Sequence, residues 1–146
     1  MDYGMELVVS LRPEWVQEIL SGRKTLEVRK SGPGSYEIER AQPVRVWMYE
    51  TKAGGGRGAV VGQFTCPKLF RVGRRRLAGM EEGGEWARRS GLSKEELLGY
   101  LGQNAALCFF EVEGAEACEP YPLRRLGLYC PPMSWGRVKN AGSGGL

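Results

Sequence analysis

Short stretches of alternating hydrophobic and polar residues define the first predicted elements. Residues 5–11 are apolar and β-prone, which predicts a strand. Pro13 suits the first position of a helix, where its missing N–H is not needed, and Gly22 suits a left-handed cap at the helix end. One face of this helix is apolar and is formed by Trp15, Val16, Ile19 and Leu20. A strand, a helix and a turn are therefore expected in that order.

A second strand is predicted over residues 25–30, directly after that turn. Leu26 and Val28 lie on one face of this strand, and Glu27 and Arg29 project from the other. Lys24 lies at the turn itself. The pattern therefore brings a lysine, a carboxylate and a guanidinium into one small region.

The rest of the chain predicts further short strands and one clear helix. Residues 44–50 and 59–65 read as a hairpin around a glycine-rich turn, and residues 107–113 and 135–138 read as strands. Ser93 and Glu96 form a capping box that starts a helix, and Gly102 ends it. Residues 31–43 are expected to form a loop, the basic stretch after residue 67 a loop with a short helix, and residues 123–128 a helical turn.

These elements predict an α+β fold, a small β-barrel of five or six short strands with two or three flanking helices. The 146 residues fit one domain over residues 1–140, followed by a flexible tail over residues 141–146. No apolar run approaches the roughly 20 residues that span a bilayer. The N-terminal residues lack the basic start of a signal peptide. We therefore expect a cytoplasmic protein without membrane contacts, and a monomer by default.

Composition narrows the possible chemistry. The chain contains no histidine, which excludes catalytic triads, general bases and metal sites built on that residue. Its four cysteines are Cys66, Cys108, Cys118 and Cys130. They are scattered, form no CxxC pair and follow no secretory signal, so reduced structural cysteines are expected rather than a metal site. No cofactor is expected.

The positive charge is concentrated in one part of the chain. The net charge is +4, and residues 68–89 alone carry seven basic against three acidic residues. A concentrated basic surface favours a polyanionic partner, with Arg74, Arg75 and Arg76 as candidate contacts to RNA. The alternative interpretation is a solvated loop that arginine keeps soluble.

Lys24, Glu27 and Arg29 are the candidate site residues on chemical grounds. Arginine can hold a phosphate with a bidentate fork, and lysine adds a point charge, or a nucleophile when it is buried. Glutamate can accept a hydrogen bond from the amino group of a base. An exposed strand with weak surface ion pairs is the alternative interpretation of the same pattern.

The order of these residues resembles a known family. Gly22-x-Lys24-x-x-Glu27-x-Arg29 is similar to the GxKxxExR signature of the ASCH domains, which belong to the PUA-like superfamily. Residues 10–22 resemble the segment that precedes this signature, and residues 47–51 and 60–64 resemble two central strands of the family. Residues 131–135, Pro-Pro-Met-Ser-Trp, resemble the close found in bacterial and phage-borne members.

The resemblance implies a barrel with a cleft beside the signature, where the family is thought to bind RNA or modified nucleotides. By position, Lys24, Glu27 and Arg29 are implied as cleft residues. Further candidates for stacking a base or contacting a phosphate are Tyr49, Ser134 and Trp135. The alternative role of Tyr49 and Trp135 is packing of the barrel.

The resemblance also leaves other functions open. A short bacterial branch removes the acyl group from acetylated cytidine with a lysine, a threonine and a glutamate, and other members are proposed ribonucleases. Lys24 matches the lysine of that branch, whereas Glu27 stands where the threonine is expected, and both are the catalytic candidates if the chain is an enzyme. The distal glutamate falls among Glu81, Glu82 and Glu85.

We expect Glu27 to keep Lys24 charged, which favours binding over hydrolysis. A protein-interaction adaptor that uses the basic segment is the third hypothesis.

Replacing Arg74, Arg75 and Arg76 with alanine should weaken RNA binding and reduce its dependence on salt. Each lost contact to a single strand lowers the slope of log K against log salt by about 0.7, because fewer counterions are released. The measurement is a titration of single-stranded RNA at several salt concentrations. A slope equal to that of the unmodified protein would contradict a basic RNA-binding surface.

Overall fold

The computed structural model describes residues 3–138, which form eight strands, five α-helices and one 3₁₀ helix. The strands are β1 (Met5–Leu11), β2 (Leu26–Arg29), β3 (Val44–Glu50), β4 (Ala59–Thr65), β5 (Leu69–Gly73), β6 (Ala106–Glu111), β7 (Glu113–Tyr121) and β8 (Trp135–Arg137). The α-helices are α1 (Pro13–Leu20), α2 (Ser35–Arg40), α3 (Arg74–Ala78), α4 (Glu85–Ser90) and α5 (Lys94–Leu101), and the 3₁₀ helix covers Leu123–Leu126. The tail predicted over residues 141–146 lies outside the described residues.

Hydrogen bonding joins the strands of residues 3–138 into two sheets. The larger sheet has the order β7-β4-β3-β1-β8, with β1 parallel to β3 and the other neighbours antiparallel. The smaller sheet has the order β2-β6-β5 and is antiparallel throughout. The α+β class is therefore confirmed. The expected small β-barrel of five or six strands with two or three flanking helices is corrected, because the described residues form eight strands and five α-helices. These residues form no closed barrel, since β2, β5 and β6 pair only with one another.

Strand β6 explains how the two sheets and the helices pack. Its alternate residues Cys108 and Phe110 face the core shared with the larger sheet, while Leu107 and Phe109 face a second core under α3 and α5. The smaller sheet is thus covered on both faces, which is why β6 is a continuous apolar run rather than an alternating one.

Several elements were missed because their sequences lack a clear period. Helix α2 begins after Pro33 and Gly34, two residues that are typical of loops, and only Ile38 anchors it in the core. Strand β7 pairs with β4 and forms one edge of the larger sheet, and its residues are exposed or half-buried. Both elements depend on contacts that are distant in sequence, so local pattern could not reveal them.

The described residues also bear on metals, disulfides and membranes. All four cysteines are free, and Cys66 and Cys108 are buried. Within residues 3–138, no three acidic or cysteine side chains gather as a metal ion requires. None of the helices described here combines the length and the apolar character needed to cross a membrane.

Replacing Leu26 with alanine should destabilise the fold by about 2 to 5 kcal/mol, because it leaves a cavity in the core beneath β2. Leu26 is fully buried among the side chains of α3, α5 and β6. The measurement is urea unfolding. Met133→Ala is the control, since Met133 is fully exposed and its replacement should change the free energy of unfolding by no more than about 0.5 kcal/mol. Equal effects of the two changes would contradict the packing described for β2.

Candidate functional site

The predicted signature forms the turn between α1 and the edge strand β2. Gly22 adopts a left-handed conformation with φ of 84°, which suits a glycine, and it reverses the chain after α1. The backbone N–H of Lys24 donates to Glu18 in α1, and the N–H of Thr25 donates to Arg89 in α4 at 2.7 Å. These bonds fix the beginning of β2 between two helices.

Lys24 is buried at this turn, with 3% of its surface exposed. Its ammonium donates to the backbone carbonyl of Ser90, lies 4.8 Å from the ring centroid of Trp15 and is 3.9 Å from Oε1 of Glu27. Burial lowers the pKa of Lys24, and the nearby Arg29 lowers it further, although Glu27 acts in the opposite direction. Glu27 favours the charged form of Lys24, as expected from the sequence, but its effect is smaller than that of burial.

Glu27 and Arg29 form a buried ion pair beside the lysine. Nε of Arg29 donates to Oε2 of Glu27 at 2.6 Å, and Nη2 donates to the carbonyl of Ser10 at 2.7 Å. Nη1 lies 3.3 Å from the carbonyl oxygen of Ser134 and donates to it. The guanidinium thus donates its hydrogen bonds to acceptors of the protein itself, and one of these bonds orients the carboxylate of Glu27. The Oε1 atom of Glu27 is left facing Lys24.

These side chains open into a cleft of about 460 Å³ between α1, β2 and α5. Its lining comprises Ser10, Leu11, Arg12, Trp15, Lys24, Glu27, Val28, Arg29, Leu92, Glu96, Gly99 and Tyr100. Trp15 and Tyr100 supply aromatic surface, and burial raises the pKa of Tyr100. Sequence reasoning missed the contribution of α5. The capping box located this helix, but nothing in it showed which face would meet β2.

The other residues suggested by the resemblance lie outside this lining. Tyr49 is buried in a small core cluster between the larger sheet and the 3₁₀ helix. Trp135 packs at the margin of the main core, and its indole N–H donates to Ser31 at 3.1 Å. Ser134 contacts two residues of the cleft, since it accepts hydrogen bonds from Arg29 and from the backbone N–H of Ser10. The signature residues are thus brought together, whereas these three are not part of the cleft wall.

The basic residues of α3 also lie away from the cleft lining. Arg74 donates to the carbonyl of Gly102, and the guanidinium of Arg76 stacks 5.4 Å from the ring centroid of Trp86. Arg75 is exposed. The three belong to α3, a helix that packs against α5.

The glutamates expected to be distal site residues are placed elsewhere as well. Glu81 and Glu82 are exposed, and Glu85 pairs with Arg89 at 3.3 Å. The glutamate that α5 brings to the cleft is Glu96, whose Oε1 also accepts from the backbone of Ser93 in the capping box. The acidic group opposite the signature therefore comes from a different helix than the sequence indicated.

Replacing Lys24 with methionine should change how stability depends on pH. The lowered pKa means that the folded state binds this proton more weakly than the unfolded state does, so the stability of the unmodified protein relative to Lys24→Met should rise with pH between the lowered pKa and the ordinary value of 10.5. Below the lowered pKa the difference should be constant. The measurement is the urea midpoint of both proteins from neutral pH upwards. A difference that is independent of pH throughout would contradict the burial of a titrating lysine.

Comparison with known proteins shows what kind of fold carries this cleft. No protein-family model matches the sequence, and no curated protein matches it either. The crystal structure of ASCH from Zymomonas mobilis superposes with a TM-score of 0.73 at 22% identity and covers 97% of this chain and 92% of its own. A Tyr-to-Phe and a Ser-to-Ala variant of that protein give TM-scores of 0.73 and 0.72 at 21% and 20% identity, with 97% of this chain covered and 95% and 93% of their own. The protein therefore has the fold of an ASCH domain, as the signature predicted.

Proposed function

We propose that this protein is a member of the ASCH family that binds RNA or a nucleotide in the cleft between α1, β2 and α5. One observation carries the proposal. The buried group of Lys24, Glu27 and Arg29 opens at the base of a cleft that two aromatic side chains flank. The ASCH-domain fold and the resemblance of the signature support the same conclusion.

The size of the cleft favours a single nucleotide or an unpaired base. A volume of about 460 Å³ lies within the range of small-molecule sites, which runs from about 300 to 1,000 Å³. A base that is splayed out of a single strand could enter such a cleft, whereas a base in a duplex stays stacked. The substrate class proposed is therefore single-stranded RNA, or a nucleotide.

Lys24 and Glu27 retain hydrogen-bonding capacity for a ligand. An ammonium has three donors, of which the carbonyl of Ser90 takes one, and the face of Trp15 offers a second favourable contact. Glu27 gives Oε2 to Arg29 and keeps lone pairs on Oε1. Lys24 can thus donate to a carbonyl or phosphate oxygen while Glu27 accepts from an amino or imino group.

The charge of the site also suits an anionic or electron-rich ligand. Two buried cations, Lys24 and Arg29, surround one buried carboxylate, Glu27. With Lys24 protonated, the group carries a net positive charge in a region of low dielectric constant, where it attracts an oxygen-rich ligand strongly. Arg75 and Arg76 on α3 are proposed to contact the phosphate backbone of a longer RNA, with Arg74 partly occupied by Gly102.

Deacylation of acetylated cytidine is the second candidate, and the lowered pKa of Lys24 is the observation that favours it. A neutral Lys24 could take a proton from water, and the resulting hydroxide would add to the acetyl carbonyl. The C–N bond would then break, and the cytidine nitrogen would leave with the proton from Lys24, giving cytidine and acetic acid, which ionises in water, and returning Lys24 to its neutral form. Glu27 would orient the amide through its hydrogen bond.

Lys24→Ala should weaken binding of cytidine monophosphate and of a short single-stranded RNA by about 10-fold or more, because a charge-assisted hydrogen bond inside the cleft is lost. The measurement is a fluorescence titration, with a thermal melt of each protein to verify folding. Arg23→Ala is the matched control, since Arg23 is the neighbouring cation, is exposed and pairs with Glu18. Equal affinities of Lys24→Ala and the unmodified protein would refute the proposed site.

The same variants separate binding from hydrolysis. Incubation with acetylated cytidine, followed by chromatography, should give cytidine with the unmodified protein and not with Lys24→Ala if the second candidate holds. Tight binding of acetylated cytidine without any product would exclude deacylation and support a function in binding alone.

A further inference from the structure

Helix α5 carries a glycine as the sixth of its eight residues. Its sequence is Lys-Glu-Glu-Leu-Leu-Gly-Tyr-Leu, and Gly99 lies between Leu98 and Tyr100. A glycine inside a helix lowers helix stability relative to alanine, because it loses more conformational freedom on folding. This position therefore calls for a physical reason.

Neither backbone geometry nor packing supplies that reason. Gly99 is absent from the glycines of residues 3–138 that have positive φ, so its conformation is open to any residue. A Cβ atom built on Gly99 meets no atom within 4 Å beyond its own helix. By contrast, a Cβ on Gly62 would lie 2.6 Å from a backbone oxygen of β7, which is a packing requirement. The fold thus tolerates a side chain at position 99.

The location of Gly99 connects it with the cleft. Gly99 lines the cleft together with Glu96 and Tyr100 from the same helix, opposite the signature residues of β2. A side chain on this residue would project over the preceding turn of α5, toward Glu96. It would occupy space that the cleft now leaves open.

We propose that Gly99 is a specificity-determining residue, which keeps the α5 wall of the cleft free of a side chain so that a nucleobase fits against it. This inference rests on the proposed function and adds a size limit to it. The larger the side chain at position 99, the smaller the ligand that the cleft admits. The absence of a side chain at position 99 therefore opens the cleft wall and at the same time lowers the stability of helix α5.

The inference predicts opposite effects on stability and binding. Gly99→Ala should raise the midpoint of thermal unfolding by about 2 °C, because alanine favours the helix and the added methyl group meets no atom. Affinity for cytidine monophosphate should fall a few-fold in Gly99→Ala and about 10-fold or more in Gly99→Leu. The measurements are thermal melts and fluorescence titrations with cytidine monophosphate. Glu95→Leu is the matched control, since Glu95 is an exposed residue of α5 outside the cleft lining.

The possible outcomes are distinct. Unmodified affinity in both Gly99 variants, together with lost affinity in Lys24→Ala, would overturn the inference and leave the proposed function standing. A lowered thermal midpoint in Gly99→Ala would also overturn it, because Gly99 would then serve the fold. No loss of affinity in Lys24→Ala, or no binding by the unmodified protein, would overturn the proposed function and the inference together.

Discussion

The buried guanidinium of Arg29 is the interaction on which the geometry of the site depends. A charge can be buried in a protein only when it is paired and hydrogen-bonded, so its acceptors must be held in place. The acceptors come from β2, from the end of β1 at Ser10 and from Ser134 just before β8. One side chain therefore ties the edge of the smaller sheet to the larger sheet and to the C-terminal segment. Because the same guanidinium orients Glu27, the hydrogen bonds of Arg29 stabilise the fold and also set the geometry of the site.

Lys24 differs from Arg29, because its buried charge has fewer hydrogen-bond partners in the protein. Its ammonium has one carbonyl partner, an aromatic face and a carboxylate at 3.9 Å that is already paired with Arg29. With Lys24 protonated, the result is an excess of positive charge beside an open cleft, and burial of the ammonium lowers the pKa of Lys24. Groups that are costly to the fold and that face a cleft are typical of functional sites. The open wall at Gly99 fits the same interpretation.

The basic segment shows how tertiary contacts divide residues that look alike in sequence. Arg74 is used to hold the end of α5 at Gly102, and Arg89 donates to the side chain of Thr25 at the start of β2. Arg75, Arg76 and Arg88 are exposed. Arginines bonded to distant parts of the chain and arginines available to a polyanion thus occur side by side in one short segment, and Arg74 belongs to both groups because it is also exposed. Their spacing gives no indication of the division, because each partner lies far away along the chain.

The sequence by itself determined the ends of helices α1 and α5 and the chemical character of the signature. Pro13, Gly22 and the capping box at Ser93 fix helix ends through backbone geometry and local hydrogen bonds, and the spacing of Glu27 and Arg29 places both on one face of a strand. Tertiary structure alone decided that this face is buried, that Arg29 serves as an orienting group, and that α5 supplies the opposite wall of the cleft. These features depend on which strands pair and which helix packs over them. Such contacts join residues that are far apart along the chain, and local propensity does not encode them.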